Sequence, residues 1–379
     1  MHDPRLDKLA FVLMNHSTAL QRGEYFQVSA SIAAKPLVMA IIRQAKNMGV
    51  YPVIEWQDEE ISRLQYELLD PELPETTRFL ERRRDWDTVR WQDLAANITI
   101  RATHNDQELS GIPAERLQLN SRINRSLKDI IINERRWVLV DYPTHSSAQK
   151  AGMSYAAYCD FNLDVALIDY DSLYQAELKL AARLDRADKV HILAPGTDIR
   201  FSIKDMPSVC CYGRRNVPDG EVYTAPVMGS VEGVITYNVA SEYFGQTFRQ
   251  VRLEFKSGKV IQASCDGNNE LLNKILQTDE GASAIGEFSF GVNPMIREPI
   301  GNTLFDEKIC GSIHFTPGNA YAKADNGNRS AIHWDLIQIQ RPEYGGGEVW
   351  LDGELVRKDG IFLPEDLLGL NPENLAPGR

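Results

Sequence analysis

Six residues capable of acid, base or metal-binding chemistry fall within fewer than fifty positions: Glu287, Glu307, His314, Tyr321, His333 and Asp335. They lie in GEFSFGVNP, DEKICGSIHF, GNAY and NRSAIHWD, which follow one another with little filler. In an extended strand, residues two apart project to the same face, so His333 and Asp335 of the HWD fragment can bind one ion together. Glu287 sits between glycines with an Asn-Pro exit, a context suited to close backbone approach. Far upstream, Pro218-Asp219-Gly220 makes a tight turn that leaves Glu221 at the mouth of a strand. Glu232, in the glycine-flanked GSVEGV, reads as a supporting residue. Each feature alone has a bland reading: PDG turns are common, and an isolated His in an apolar strand is usually a core residue. The case for a site rests on their convergence.

A set of Glu, Glu, His, His and Asp suits divalent zinc, manganese, cobalt or magnesium, with a carboxylate bridging where two ions are bound. In such a site one ion polarises a carbonyl while the pair acidifies a bound water. Tyr321 could bind metal or donate to an oxyanion. A second chemistry stays open, because His314, His333 and Asp335 alone satisfy the two-His, one-carboxylate pattern of mononuclear non-haem iron. The two glutamates would then be superfluous. A closed structural zinc site fits worse, since the five cysteines, Cys159, Cys210, Cys211, Cys265 and Cys310, show no C-x-x-C spacing.

The surrounding chain is that of a globular protein. Its 379 residues are 43% hydrophobic and 25% charged, enough for two domains with their own cores. No apolar run approaches the roughly 20 residues of a membrane span, so no membrane association is expected. MHDPRLDKLAFVLMNHS lacks the basic region and long apolar core of a secretory signal. A cytoplasmic protein with reduced thiols is expected. A net charge of -12 argues against nucleic acid and suits cationic partners, including metal ions and free α-amino groups.

The elements that must position the site form two groups. Apolar spacing predicts a first helix over 6–23, then a strand in EYFQVSASIA, a helix in PLVMAIIRQAKNMG and a strand in VYPVIEW, a β-α-β unit. The charged stretch 59–90 reads as a solvated helical or loop region, and ANITIRAT, a helix over 113–133 and WVLV extend the alternation. His104 and His145 follow strands here and read as surface or packing residues. A helical stripe of Leu173, Ala176, Leu180, Ala181 and Leu184 closes this part. Beyond it come short strands separated by Gly, Asp, Asn and Pro turns, a KSGKV hairpin, a short helix in NELLNKILQ and terminal hairpins with DG turns. The expected architecture is an α/β amino-terminal domain over 1–187 and a β-rich α+β carboxy-terminal domain over 188–379 that holds the metal site.

LAPGTDIRFSI, NVPDGEVYTAP, GEFSFGVNP, the DEK-to-GSIHF segment, GNAY and NRSAIHWD occur in an order that resembles the metallo-aminopeptidases of the aminopeptidase T and aminopeptidase S type. The resemblance runs nearly full length. It implies Glu221, Glu287, His314, His333 and Asp335 as metal ligands, Glu287 as the bridging or proton-transfer carboxylate, and Tyr321 as ligand or transition-state donor. Glu307 is matched only through the DEK triplet. It further implies two divalent ions, zinc, cobalt, manganese or magnesium, a homodimer, and release of N-terminal residues from peptides with a free N-terminus. Distant relatives of the family are ring-cleaving dioxygenases, which gives the mononuclear iron alternative a concrete reaction. Two departures stand out: HFTPG replaces an apolar His-x-Ala-x-Gly pattern, and only eleven residues separate Tyr321 from His333.

Overall fold

A computed structural model describes residues 3–243 and 245–375. The chain divides into two compact units, Met1–Leu167 with Gly213–Pro218, and Ile168–Tyr212 with Asp219–Arg379. The division therefore differs from the one expected at residue 187. The helix Tyr170–Leu184 belongs to the second unit because its buried stripe of Leu173, Leu180 and Leu184 packs against the strands Val209–Cys211 and Glu221–Thr224. Residues 213–218 return to the first unit, where Asn216–Val217 pairs with Arg136–Asp141.

The first unit is built on a five-stranded parallel sheet in the order Tyr51–Gln57, Tyr25–Ser31, Leu94–Arg101, Arg136–Asp141, Asn216–Val217. Parallel neighbours require crossovers, and the helix Lys35–Met48 supplies the first, burying Leu37, Val38, Ile41 and Ala45. Gly49, at φ 70°, ends it and returns its amide to the Ala45 carbonyl. The expected first helix is α-helical over Pro4–Phe11 and continues as a π-helical turn over Val12–Ser17, stopping short of Gly23. The 59–90 stretch is helical, in Glu59–Leu68 and Pro74–Asp93, and the expected helix over 113–133 is two helices broken at Asn124. His104 gives its amide to Glu59, and His145 stacks on Tyr155 at 4.2 Å.

The second unit contains a nine-stranded and a five-stranded sheet. The smaller one runs Ile337–Ile339, Ser312–Pro317, Ile285–Gly291, Glu221–Thr224, Val209–Cys211, with every pairing antiparallel. Alternation along its strands sorts the side chains by face. Phe288, Phe290, Ile313 and Phe315 are buried on one side, where Phe201 of the larger sheet meets Phe288 at 5.1 Å and Phe315 at 5.0 Å. Glu221, Glu287, Ser289, His314 and Thr316 occupy the other side. The KSGKV turn places Ser257 and Gly258 at positive φ between two long strands, and NELLNKILQ is helical over Asn269–Leu276, as the sequence predicts.

Candidate metal centre

Turn chemistry fixes where the strands begin. Gly220 sits at φ 131°, and a Cβ there would lie 3.0 Å from the Asn293 backbone nitrogen. Close approach lets Val292 donate its amide to the Gly220 carbonyl at 2.9 Å and Asn293 Nδ2 donate to the Asp219 carbonyl at 2.7 Å. The PDGE and GVNP motifs are thus locked together. Gly286 is equally constrained, since a Cβ would stand 2.4 Å from the Gly318 carbonyl oxygen. A register irregularity between Ile285 and Glu287 follows, and Ser289 pairs with both His314 and Tyr223.

Glu221, Glu287, His314, His333 and Asp335 converge on this face. His314 Nε2 lies 2.9 Å from Glu287 Oε1 and 3.1 Å from Glu221 Oε2. His333 Nε2 lies 3.2 Å from Asp335 Oδ1 and 3.7 Å from Glu287 Oε2. Glu287 therefore stands between the two imidazoles. His333 and Asp335 share a face as an extended segment requires, while the intervening Trp334 turns away, stacks on Tyr243 at 4.7 Å and donates its indole N–H to Ser241. The floor of the cluster is closed, with the His314 side chain 1% exposed, and its rim opens at His333, 19% exposed.

The imidazoles have the same tautomer for the same reason. A carbonyl can only accept, so His314 donates from Nδ1 to the Glu307 carbonyl at 3.1 Å and His333 from Nδ1 to the Asn319 carbonyl at 2.8 Å. Thr316 donates to Asp335 at 2.8 Å, and Ser289 to Glu221 at 3.1 Å. Glu287 Oε2 is buried and accepts no hydrogen bond. A buried carboxylate oxygen without a donor costs free energy unless a cation or proton meets it. Two Nε2 lone pairs and three carboxylates, one of them bearing that orphaned oxygen, fit a divalent cation.

Without metal, protons carry this charge. Burial opposes ionisation of His333, yet Asp335 and Glu287 raise it to about 10. His314 is likewise raised, burial being outweighed by hydrogen bonds and charge from Glu221 and Glu287. Burial works against Glu221, but Lys308 and His314 lower it to about 2. Glu287 is raised, chiefly by burial.

Tyr321 is 47% exposed, and its ring lies 4.5 Å from that of His333. Glu307 is placed differently from the ligand group: its carbonyl serves His314, and its carboxylate meets the ammonium of Lys308. Burial raises that carboxyl to about 8 against the pull of Lys308. Glu232 lies elsewhere, accepting the Ser257 amide at 2.6 Å on the larger sheet. Sequence reasoning missed Lys308, fully buried within 3.4 Å of Glu221 and 4.0 Å of Asp219, and the orienting hydroxyls of Ser289 and Thr316. The hydroxyls had a signal, each lying two residues from a site residue on its own strand.

Residues 2–350 match the thermophilic metalloprotease (M29) family. The chain is 24% identical to aminopeptidase AmpS of Bacillus subtilis, covering 88% of both chains. It is 26% identical to aminopeptidase T of Thermus aquaticus, over 95% of this chain and 96% of the relative. Among solved structures, wild-type AmpT from Thermus thermophilus superposes with a TM-score of 0.80 at 20% identity, covering 95% of this chain and 99% of that one. The 2,5-dihydroxypyridine dioxygenase of Pseudomonas putida KT2440 shares the fold at a TM-score of 0.58 and 15% identity, over 96% and 98% of the two chains. With its family match spanning the fold and the cluster alike, the chain belongs to the thermophilic metalloprotease (M29) family.

Proposed function

We infer that the protein is a metal-dependent aminopeptidase that removes N-terminal residues from peptides, with the second unit as its catalytic part. The observation that carries this is the placement of Glu287 between two imidazoles whose Nε2 atoms are both turned inward. From there its two oxygens could serve both imidazole-bearing groups. Glu221 and His314 would hold one ion, and His333 and Asp335 the other. Asp219, Glu221, Glu287, Glu307 and Asp335 gather around the ammonium of Lys308, and this excess of carboxylates suits divalent cations.

When bound, such ions supply Lewis-acid polarisation of the scissile carbonyl and acidify the attacking water. The chain's residues do the rest. Thr316 and the Asn319 carbonyl hold the His333–Asp335 pair at the open rim, where a peptide N-terminus can enter. Tyr321, beside His333, is a protonated phenol at neutral pH, so its hydroxyl can donate to the developing oxyanion. Proton transfer by Glu287 is the alternative to that shared role, since a carboxylate with both oxygens held by cations takes no proton.

Zinc, cobalt, manganese and magnesium all suit the donor set. A homodimer is proposed with it, supported by the apolar Leu68, Phe79, Trp86 and Val89, which are exposed on the helices of the first unit. A cytoplasmic location is supported by five free thiols. Among the described residues no helix is long and apolar enough to cross a membrane.

Assay on a panel of aminoacyl-nitroanilides, with chelator and then added zinc, cobalt or manganese, tests the reading. Metal-restored release is expected, with two ions per chain by elemental analysis. No release from any substrate would overturn it. One redox-active iron per chain would favour a ring-cleaving oxygenase at His314, His333 and Asp335, but that reading leaves the buried Glu287 Oε2 with no cation to serve.

A further inference from the structure

We propose that Lys308 is the resident cation of a third cation position, formed by Asp219, Glu221 and Glu307 with the Cys211 thiol beside it, and that its ammonium confines divalent ions to the histidine side of Glu221. This rests on the proposed ligand role of Glu221. Geometry divides that carboxylate in two: Oε1 lies 3.4 Å from Lys308 Nζ, and Oε2 lies 3.1 Å from His314 Nε2. One oxygen serves the lysine and the other faces the imidazole.

The lysine side is a complete cation environment. An ammonium has three N–H donors, and Lys308 faces three carboxylates: Glu307 in direct contact, Glu221 at 3.4 Å and Asp219 at 4.0 Å. Its side chain is 0% exposed. Glu307 and Glu221 accept its hydrogen bonds, Asp219 adds charge from 4.0 Å, and with its side chain wholly buried Lys308 has no surface to offer a substrate. It is a positioning residue. Its carbonyl accepts the Asn293 amide at 3.1 Å, tying it to the turn that holds Asp219.

The same donors would suit a metal if the lysine were absent. Ligand atoms of Cys211, Asp219 and Glu221 lie within 4.8 Å of one another, because Cys211 pairs with Glu221 across the sheet. Carboxylates with a thiol form a set that zinc or cadmium takes readily, the thiol losing its proton on binding. A covalently attached cation fills this position at every metal concentration, so Glu221 keeps one oxygen for the histidine side.

Cadmium titration of the metal-free full chain tests this, read by thiolate-to-cadmium charge-transfer absorption and by bound ions per chain. Wild type and Cys211→Ser should give the same band and the same ion count. Lys308→Ala should bind about one further ion, with added absorption that disappears in Lys308→Ala/Cys211→Ser. A Cys211-dependent band in wild type, or none in folded Lys308→Ala, would overturn the proposal. If Lys308→Ala does not fold, the comparison of wild type with Cys211→Ser still decides: a lower ion count in the serine variant refutes the assignment, and an unchanged count supports it. None of these readouts uses peptide cleavage, so inactivity on every peptide substrate would fault the functional reading and leave this one standing.

Discussion

His314 and His333 make the same hydrogen bond from different segments: each gives its Nδ1–H to a main-chain carbonyl and so turns Nε2 toward Glu287. Main-chain acceptors cannot rotate away or change protonation, which makes the imidazole orientation a property of the backbone. The cluster is thereby pre-organised before any ion arrives.

Glu287→Gln keeps the shape and removes the charge shared by both imidazoles. Turnover of aminoacyl-nitroanilides should fall by more than about 100-fold and bound metal should drop, since even outer partners of metal ligands contribute 10–100-fold. The metal-free variant should melt no lower than metal-free wild type, because burial disfavours the charge that is lost. Retained turnover would exclude a bridging role.

Tyr321→Phe removes only a hydroxyl beside His333. If that hydroxyl donates to the oxyanion, kcat should fall about 100- to 1000-fold with KM nearly unchanged. A rise in KM alone would instead make Tyr321 a substrate contact.

Thr316→Val deletes the donor to Asp335 and leaves the strand intact. Metal affinity measured by competition with a chromophoric chelator should weaken about tenfold, while ring packing at Phe315 on the opposite face stays as it is.

pH should act oppositely on the metal-free and metal-loaded protein. His333, raised from an ordinary 6.5 to about 10 when folded, stabilises the metal-free chain fully below the unfolded value and loses that contribution as pH rises through the folded one. Glu307, raised to about 8, acts in the same direction from about 4.5 upward. The melting temperature of the metal-free chain should therefore decline from pH 7 to 10. Metal binding displaces the histidine protons, so affinity should increase over that range and the loaded protein should hold its melting temperature. Parallel declines in both forms would contradict the assignment of His333.

Much of the site was legible because its geometry is local. The shared face of His333 and Asp335 follows from extended backbone alone, and Glu221 and Glu287 are marked by glycines that only close backbone approach explains. Lys308 was not legible. In the triplet Asp306-Glu307-Lys308 a lysine reads as a solvated charge, and only the convergence of Asp219 from a distant turn and Glu221 from the strand after it makes it a buried one. The return of residues 213–218 to the first sheet was equally hidden, since a two-residue strand carries no periodicity. Glu232, read as a supporting residue, lies on the larger sheet, where the glycine beside it serves close strand pairing: a Cβ on Gly233 would meet the Asp198 carbonyl oxygen at 2.1 Å.

The strand Ile285–Gly291 is buried along its entire length, with phenylalanines on one face and the cluster on the other. A slip of one residue against its neighbours would exchange the two, driving Glu287 into the aromatic core and Phe288 among the imidazoles. Misfolding by register and loss of the metal centre are thus one event here. A single inserted or deleted residue in this strand should leave no folded but inactive species to be recovered.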